Sequence, residues 1–154
     1  MDRRQKAILA EFLTVIAITS LAVVGLVNFK DYVNRSEALQ AMQAAGEHIL
    51  EYREKNNLLP PESYVKQLKR EVQGGARMGQ IQYRGLFIGP RAEPNEILLY
   101  SEKQYKSSFL DDGYIVLFVD GAVKWMGVKE FEEMLGKQQT DFEIHMLGGT
   151  SPSH

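Results

Sequence analysis

Residues 11–29 read "EFLTVIAITSLAVVGLVNF", and their reading decides the fold. The 18 residues from Phe12 to Phe29 carry no charge. As an α-helix rising ~1.5 Å per residue they span about 27 Å, close to the roughly 30 Å of a bilayer hydrocarbon core. Starting the span at Ala7 gives 23 residues and encloses Glu11. A carboxylate in hydrocarbon is costly, so Glu11 requires a partner, an interfacial position or a function.

The flanks orient the span. Arg3, Arg4 and Lys6 precede it, whereas Lys30 and Arg35 follow beside Asp31 and Glu37. The positive-inside bias predicts a basic cytoplasmic leader at 1–6, a transmembrane segment at 7–29 and an extracytoplasmic remainder. The expected location is the bacterial inner (cytoplasmic) membrane, with a single pass and a periplasmic or extracellular head. A cleaved secretory signal is the competing reading. The run is long for a signal's apolar region, and no Ala-x-Ala site before a linker is evident.

Beyond the span, "SEALQAMQAAGEHILEYREKNN" (36–57) repeats apolar residues every three or four positions. Leu39, Met42, Gly46, Ile49 and Tyr52 or Arg53 form a stripe, with Glu37, Gln40, Gln43 and Glu47 off it. This predicts an amphipathic continuation of the same helix. A break near Gly25 or Asn28 is the alternative. Pro60 and Pro61 end the helix. Pro61–Val72 predicts a short second helix with Tyr64, Val65, Leu68 and Val72 inward, and "QGGARMG" a flexible connection.

"QIQYRGLFIG" (80–89) and "NEILLYSE" (95–102) predict strands around a turn. "GYIVLFVDGAVKWM" (113–126) predicts a β-hairpin turning on Asp120-Gly121, a dipeptide suited to positive φ. "VKEFEEMLGKQ" (128–138) predicts a last helix with Val128, Phe131, Met134 and Leu135 on one face. The predicted class is α+β. A long N-terminal helix extends from the membrane into a small head at 30–139, with a short helix, three or four antiparallel strands and a C-terminal helix. A frayed tail at 140–154 follows.

Composition excludes several functions. With 18 basic and 20 acidic side chains the net charge is -2, which argues against nucleic-acid binding driven by bulk charge. Without cysteine there are no disulfides and no thiolate chemistry. His48, His145 and His154 lack metal-ligand spacing. Asp111, Asp112 and Asp120 are the one tempting carboxylate group, yet no base or convergent motif accompanies them. Asp111 and Asp112 read as a turn before a strand. A calcium site in "SFLDDG" competes, but its spacing matches no loop rule. No P-loop, nucleophile elbow or zinc motif occurs. Trp125, Tyr83 and Phe87 are expected as core beneath the long helix rather than as a binding patch. The expectation is a non-enzyme with no cofactor, no metal and no small-molecule substrate.

The motifs resemble those of type IV pilin-like proteins, including the pseudopilins of type II secretion. "RRQK" stands as the basic leader, "AILAE" aligns with the family's five-residue start, and "FLTVIAI" follows as its helix. Glu11 falls at the family's glutamate. "ILEYREKNNLLPPESY" resembles the end of the pilin first helix. "ILLYSEKQY", "GYIVLFVDGAVKWM" and "EFEEML" resemble the C-terminal half of H-X9-DG pilin-like proteins. The resemblance implies a lollipop-shaped fold and a structural or assembly role. Its implied partners are the lipid bilayer and other pilin-like subunits or secretion-machinery proteins. It implies a processing junction at Lys6 and Ala7, and a role for Glu11 in pairing with a neighbouring subunit's freed amine. Lys6 replaces the family's glycine at that junction and Ala7 its phenylalanine, so the site is degenerate and the leader is expected to stay on. Ala122 stands where a histidine often follows Asp-Gly. A stand-alone membrane-anchored binding domain that no longer polymerises is the alternative function.

Overall fold

The computed structural model describes residues 2–89, 91–107 and 109–146. Helix α1 runs unbroken from Arg3 to Asn56, 54 residues or about 81 Å. No break occurs at Gly25 or Asn28, and a Cβ on Gly25 would meet nothing within 4 Å. Asn57 ends the helix in the left-handed region, at φ 55, with its N–H bonded to the Arg53 carbonyl. Arg53 and Lys55 in the last turn suit the negative end of the helix dipole.

Helix α2 (Glu62–Glu71) begins after Pro61 and buries Val65 and Leu68. Strands β1 (Gln82–Tyr83), β2 (Ile97–Lys103), β3 (Gly113–Phe118) and β4 (Val123–Gly127) form an antiparallel meander in the order β1-β2-β3-β4. The first strand is shorter than expected. After Tyr83 the chain turns, so Phe87 lies off the strand, 6.3 Å from the ring of Phe142. Helix α3 (Val128–Gln138) follows β4 directly.

The sheet is covered on both faces. One face packs against α1 through Leu99, Ile115 and Leu117, together with Met42, Ile49 and Met78. Trp125 and Tyr83 pack against this core, as expected for aromatics on alternating strand positions. The other face holds Ile97, Val116, Phe118 and Met126 beneath Phe131 of α3. There Phe131 stacks on Tyr114 with ring centroids 3.8 Å apart. A register shift between Ile97 and Leu99 in β2 lets Leu98 and Leu99 join one core while Ile97 serves the other.

Small residues let α1 approach the sheet. Its buried positions are Ala38, Ala41, Met42, Ala45, Gly46 and Ile49. A Cβ on Gly46 would lie 2.7 Å from Leu117 Cδ1, closer than real contacts allow. Leu39, expected on the stripe, is only half-buried.

Two segments expected to be loose are built into the head. In "QGGARMG", Gly75–Met78 forms a 3-10 turn that buries Met78 completely. The carbonyls of Arg77, Met78 and Gly79 accept bonds from Lys103, Ser101 and Lys69 in turn. The first part of the expected tail forms helix α4 (Asp141–Met146), whose Glu143 is buried. Residues 147–154 of that tail, with His154, lie outside the described residues.

Candidate membrane and assembly surface

The surface that the sequence singles out lies on the free half of α1. Ile8, Leu9, Phe12, Leu13, Val15, Ile16 and every larger apolar side chain onward to Phe29 are exposed. The helix is apolar all round there, as it would be for burial in lipid or among other helices. By length and composition this one helix is sufficient to cross a membrane, and the head buries none of its most apolar stretch. Thr14 and Thr19 turn their hydroxyls onto the carbonyls of Ala10 and Val15, each at 2.8 Å. The hydroxyls are thereby satisfied within the helix, as hydrocarbon requires.

Lys6 and Ala7 are both exposed and both helical. The first turn is closed by the Lys6 N–H on the Asp2 carbonyl at 3.1 Å, and Gln5 Oε1 accepts the Asp2 N–H at 3.1 Å. The candidate junction therefore lies in ordered helix rather than in an extended segment. Glu11 is exposed and forms no ion pair among the described residues. It lies about 7.5 Å along the axis from Lys6 and roughly 140° around it, whereas Arg4 is on nearly the same face about 10.5 Å away. The helix dipole does little for Glu11. The helix starts at Arg3, so Glu11 lies about two turns inside, beyond the reach of the N-terminal partial charge. The first turn itself is basic.

The carboxylates singled out in the head do not converge. Asp112 precedes β3 and its Oδ1 accepts the Tyr105 N–H at 2.7 Å. Asp120 follows β3 and its Oδ1 accepts the Ala122 N–H at 2.8 Å. Six strand residues, or about 20 Å, separate them. Asp111 is exposed. Among the described residues no group of three or more His, Asp or Glu side chains is placed to share a metal ion. His48 is an exposed helix residue with Nδ1 3.8 Å from Glu51.

The hairpin turn differs in detail from a two-residue Asp-Gly turn. Only Gly121 has positive φ, at 88°. The Gly121 N–H bonds the Phe118 carbonyl at 3.0 Å, and the Phe118 N–H bonds the Ala122 carbonyl at 2.9 Å. This is a type I turn followed by a left-handed glycine, the usual three-residue hairpin loop.

One polar site was not visible in the sequence. Arg84 and Glu143, 59 residues apart, form a fully buried bidentate pair at 2.6 and 2.9 Å. Arg84 also donates to the Ile97 carbonyl and to Gln138. Gln138 in turn accepts the Ile97 N–H and donates to the Asn95 carbonyl. The pair ties α4 to the outer face of the sheet. Its donors and acceptors are all used within the protein, so it reads as a latch rather than a reactive centre.

Searched against protein-family models, curated proteins and solved structures, the chain matches none of them.

Proposed function

We propose that this chain is a single-pass, pilin-like membrane subunit with a structural or assembly role, of the kind found in type II secretion or type IV pilus-like systems. One observation carries the reading. A single 54-residue helix is bare and apolar along its first half and packs along its second half on a four-stranded antiparallel sheet. A soluble domain gains nothing from about 35 Å of projecting apolar helix, whereas a bilayer or a bundle of like helices covers it. The proposed partners are the lipid bilayer and other pilin-like subunits. Residues 1–6 face the cytoplasm and the head lies outside. No catalytic role is assigned.

Lys6 favours a second reading. A bulky cation at the junction, within ordered helix, is unsuited to leader removal. An uncut chain never frees the amine that Glu11 would pair with. The protein then serves as an anchored extracytoplasmic binding domain that does not polymerise. Two measurements separate these readings. Protease added to intact spheroplasts should digest the head, and protection until lysis would refute the topology. Intact mass and subunit crosslinking are then compared for wild type, Glu11→Ala, Lys6→Gly and the double variant. The assembly reading expects crosslinked wild-type subunits that weaken with Glu11→Ala. The anchored-domain reading expects uncut, uncrosslinked wild type, with Glu11 mattering only after Lys6→Gly permits cleavage at Ala7.

A further inference from the structure

The connection from β2 to β3 leaves the sheet at the end nearest the apolar half of α1. Tyr105 lies 5.7 Å from the Trp125 ring, which sits beneath the Arg35 guanidinium at 4.0 Å. The Lys106 N–H donates to Asp31 Oδ2 at 3.0 Å. Ser107 Oγ donates to Asn28 Oδ1, and the Phe109 N–H donates back to Ser107 Oγ at 3.1 Å. Asp112 closes the base of the loop on Tyr105. The loop is thus pinned along α1 from Arg35 back to Asn28.

Asn28 is the last residue but one of the charge-free run. Its bond to Ser107 sets the loop level with the place where the apolar helix surface ends. Near that level Phe109 is 79% exposed, and α1 leaves Phe29 and Tyr32 exposed as well. Aromatic rings concentrate at the membrane–water boundary, where an apolar body meets headgroups. Exposed Lys30 and Lys106 extend from the same level and suit phosphate groups there.

We propose that Phe109 and the loop segment 105–107 form a second membrane contact, seated at the outer headgroup–acyl boundary beside the end of α1. The proposal rests on the reading of α1 as a span. A single helix leaves the head free to tilt and turn, and an aromatic anchor alongside it restricts both. Asp31, Asp111 and Asp112 offset Lys30, Arg35 and Lys106, so the contact is apolar in character. It should form on zwitterionic lipid and resist salt.

The test places a single tryptophan in the full chain, in a Trp125→Phe background, reconstituted into phosphatidylcholine vesicles. Lipids brominated high or low on the acyl chain serve as depth-dependent quenchers. Phe109→Trp should emit to the blue and be quenched best by shallow bromines, in low and high salt alike. Leu86→Trp, 76% exposed at the opposite end of the sheet, should emit as in water and resist quenching. Val24→Trp should be quenched best by deep bromines. If position 109 behaves like position 86 while position 24 is quenched, the second contact is refuted and the span stands. If position 24 also escapes quenching, the span itself fails and the proposal with it. Should Trp125→Phe loosen the head, the cysteine-free chain permits the same depth measurement with a nitroxide on Phe109→Cys.

Discussion

The two halves of α1 are one continuous helix built for different surroundings. From Ile8 to Phe29 the large apolar side chains of this helix are exposed on every side. From Ala38 to Ile49 the buried positions are mostly Ala and Gly, confined to one face, and Gln40, Gln43 and Glu47 are exposed. A fluid medium imposes no shape, so bulky side chains are tolerated all round. A sheet is rigid and close-packed, so the helix surface that meets it must be cut to fit. The contrast between bulk and smallness along the helix marks the change of environment as clearly as the contrast between apolar and polar.

Among the described residues the one buried ion pair lies in the head, and breaking it should have the largest effect. Glu143→Ala leaves Arg84 buried without its carboxylate. The head should lose about 3–5 kcal/mol, as for other broken buried pairs, while membrane insertion is unchanged. Denaturant melting followed by Trp125 fluorescence measures this in the full chain. A loss below ~1 kcal/mol would mean that α4 does not latch the sheet.

The next effect pits the two halves against each other. Gly46→Val drives a side chain into Leu117 and should destabilise the head by about 1–3 kcal/mol. Gly25→Val meets only open space and should leave the head's melting unaltered. Equal losses from both substitutions would erase the proposed difference between the halves.

The smallest effect concerns pH. Burial, and then neighbouring Tyr52, raise the Tyr83 phenol above its usual 10.0, so it remains the donor to the Pro60 carbonyl at 2.7 Å. The unfolded chain ionises first. The stabilisation is therefore complete below pH 10.0 and declines as pH rises toward the folded value. Tyr83→Phe should cost about 1 kcal/mol at neutral pH for the lost bond and make the alkaline decline shallower. Tyr100, Tyr105 and Tyr114 are raised by burial as well, so the decline should lessen rather than vanish. An unaltered alkaline slope would place Tyr83 in water.

Local pattern carried much of this architecture. A long charge-free run, a three-to-four-residue repeat and a Pro-Pro stop were enough to outline α1, and alternation around Asp-Gly was enough to outline the hairpin. These signals were legible because each depends on neighbours in sequence: helix periodicity, strand pleat and turn conformation act over a few residues. The depth of "QGGARMG" was not legible, because its order comes from Lys69, Ser101 and Lys103 reaching its carbonyls from other elements. Phe87 was misplaced for a related reason, since the chain leaves the sheet after Tyr83 and Arg84 turns its guanidinium to Glu143.

The sequence by itself determined that the chain has one apolar helix of membrane length, that the helix continues into an α+β head, and that a glycine turn joins the last two strands. Only the tertiary structure decided that α3 covers the face opposite α1, that Arg84 and Glu143 lock α4 in place, and that the loop bearing Phe109 is tied to Asn28. The Arg84–Glu143 and Ser107–Asn28 bonds join residues 59 and 79 positions apart, and their partners are chosen by the stacking of layers. Side-chain chemistry specifies what a residue can bond. The packing of elements alone brings the two ends of such a bond together.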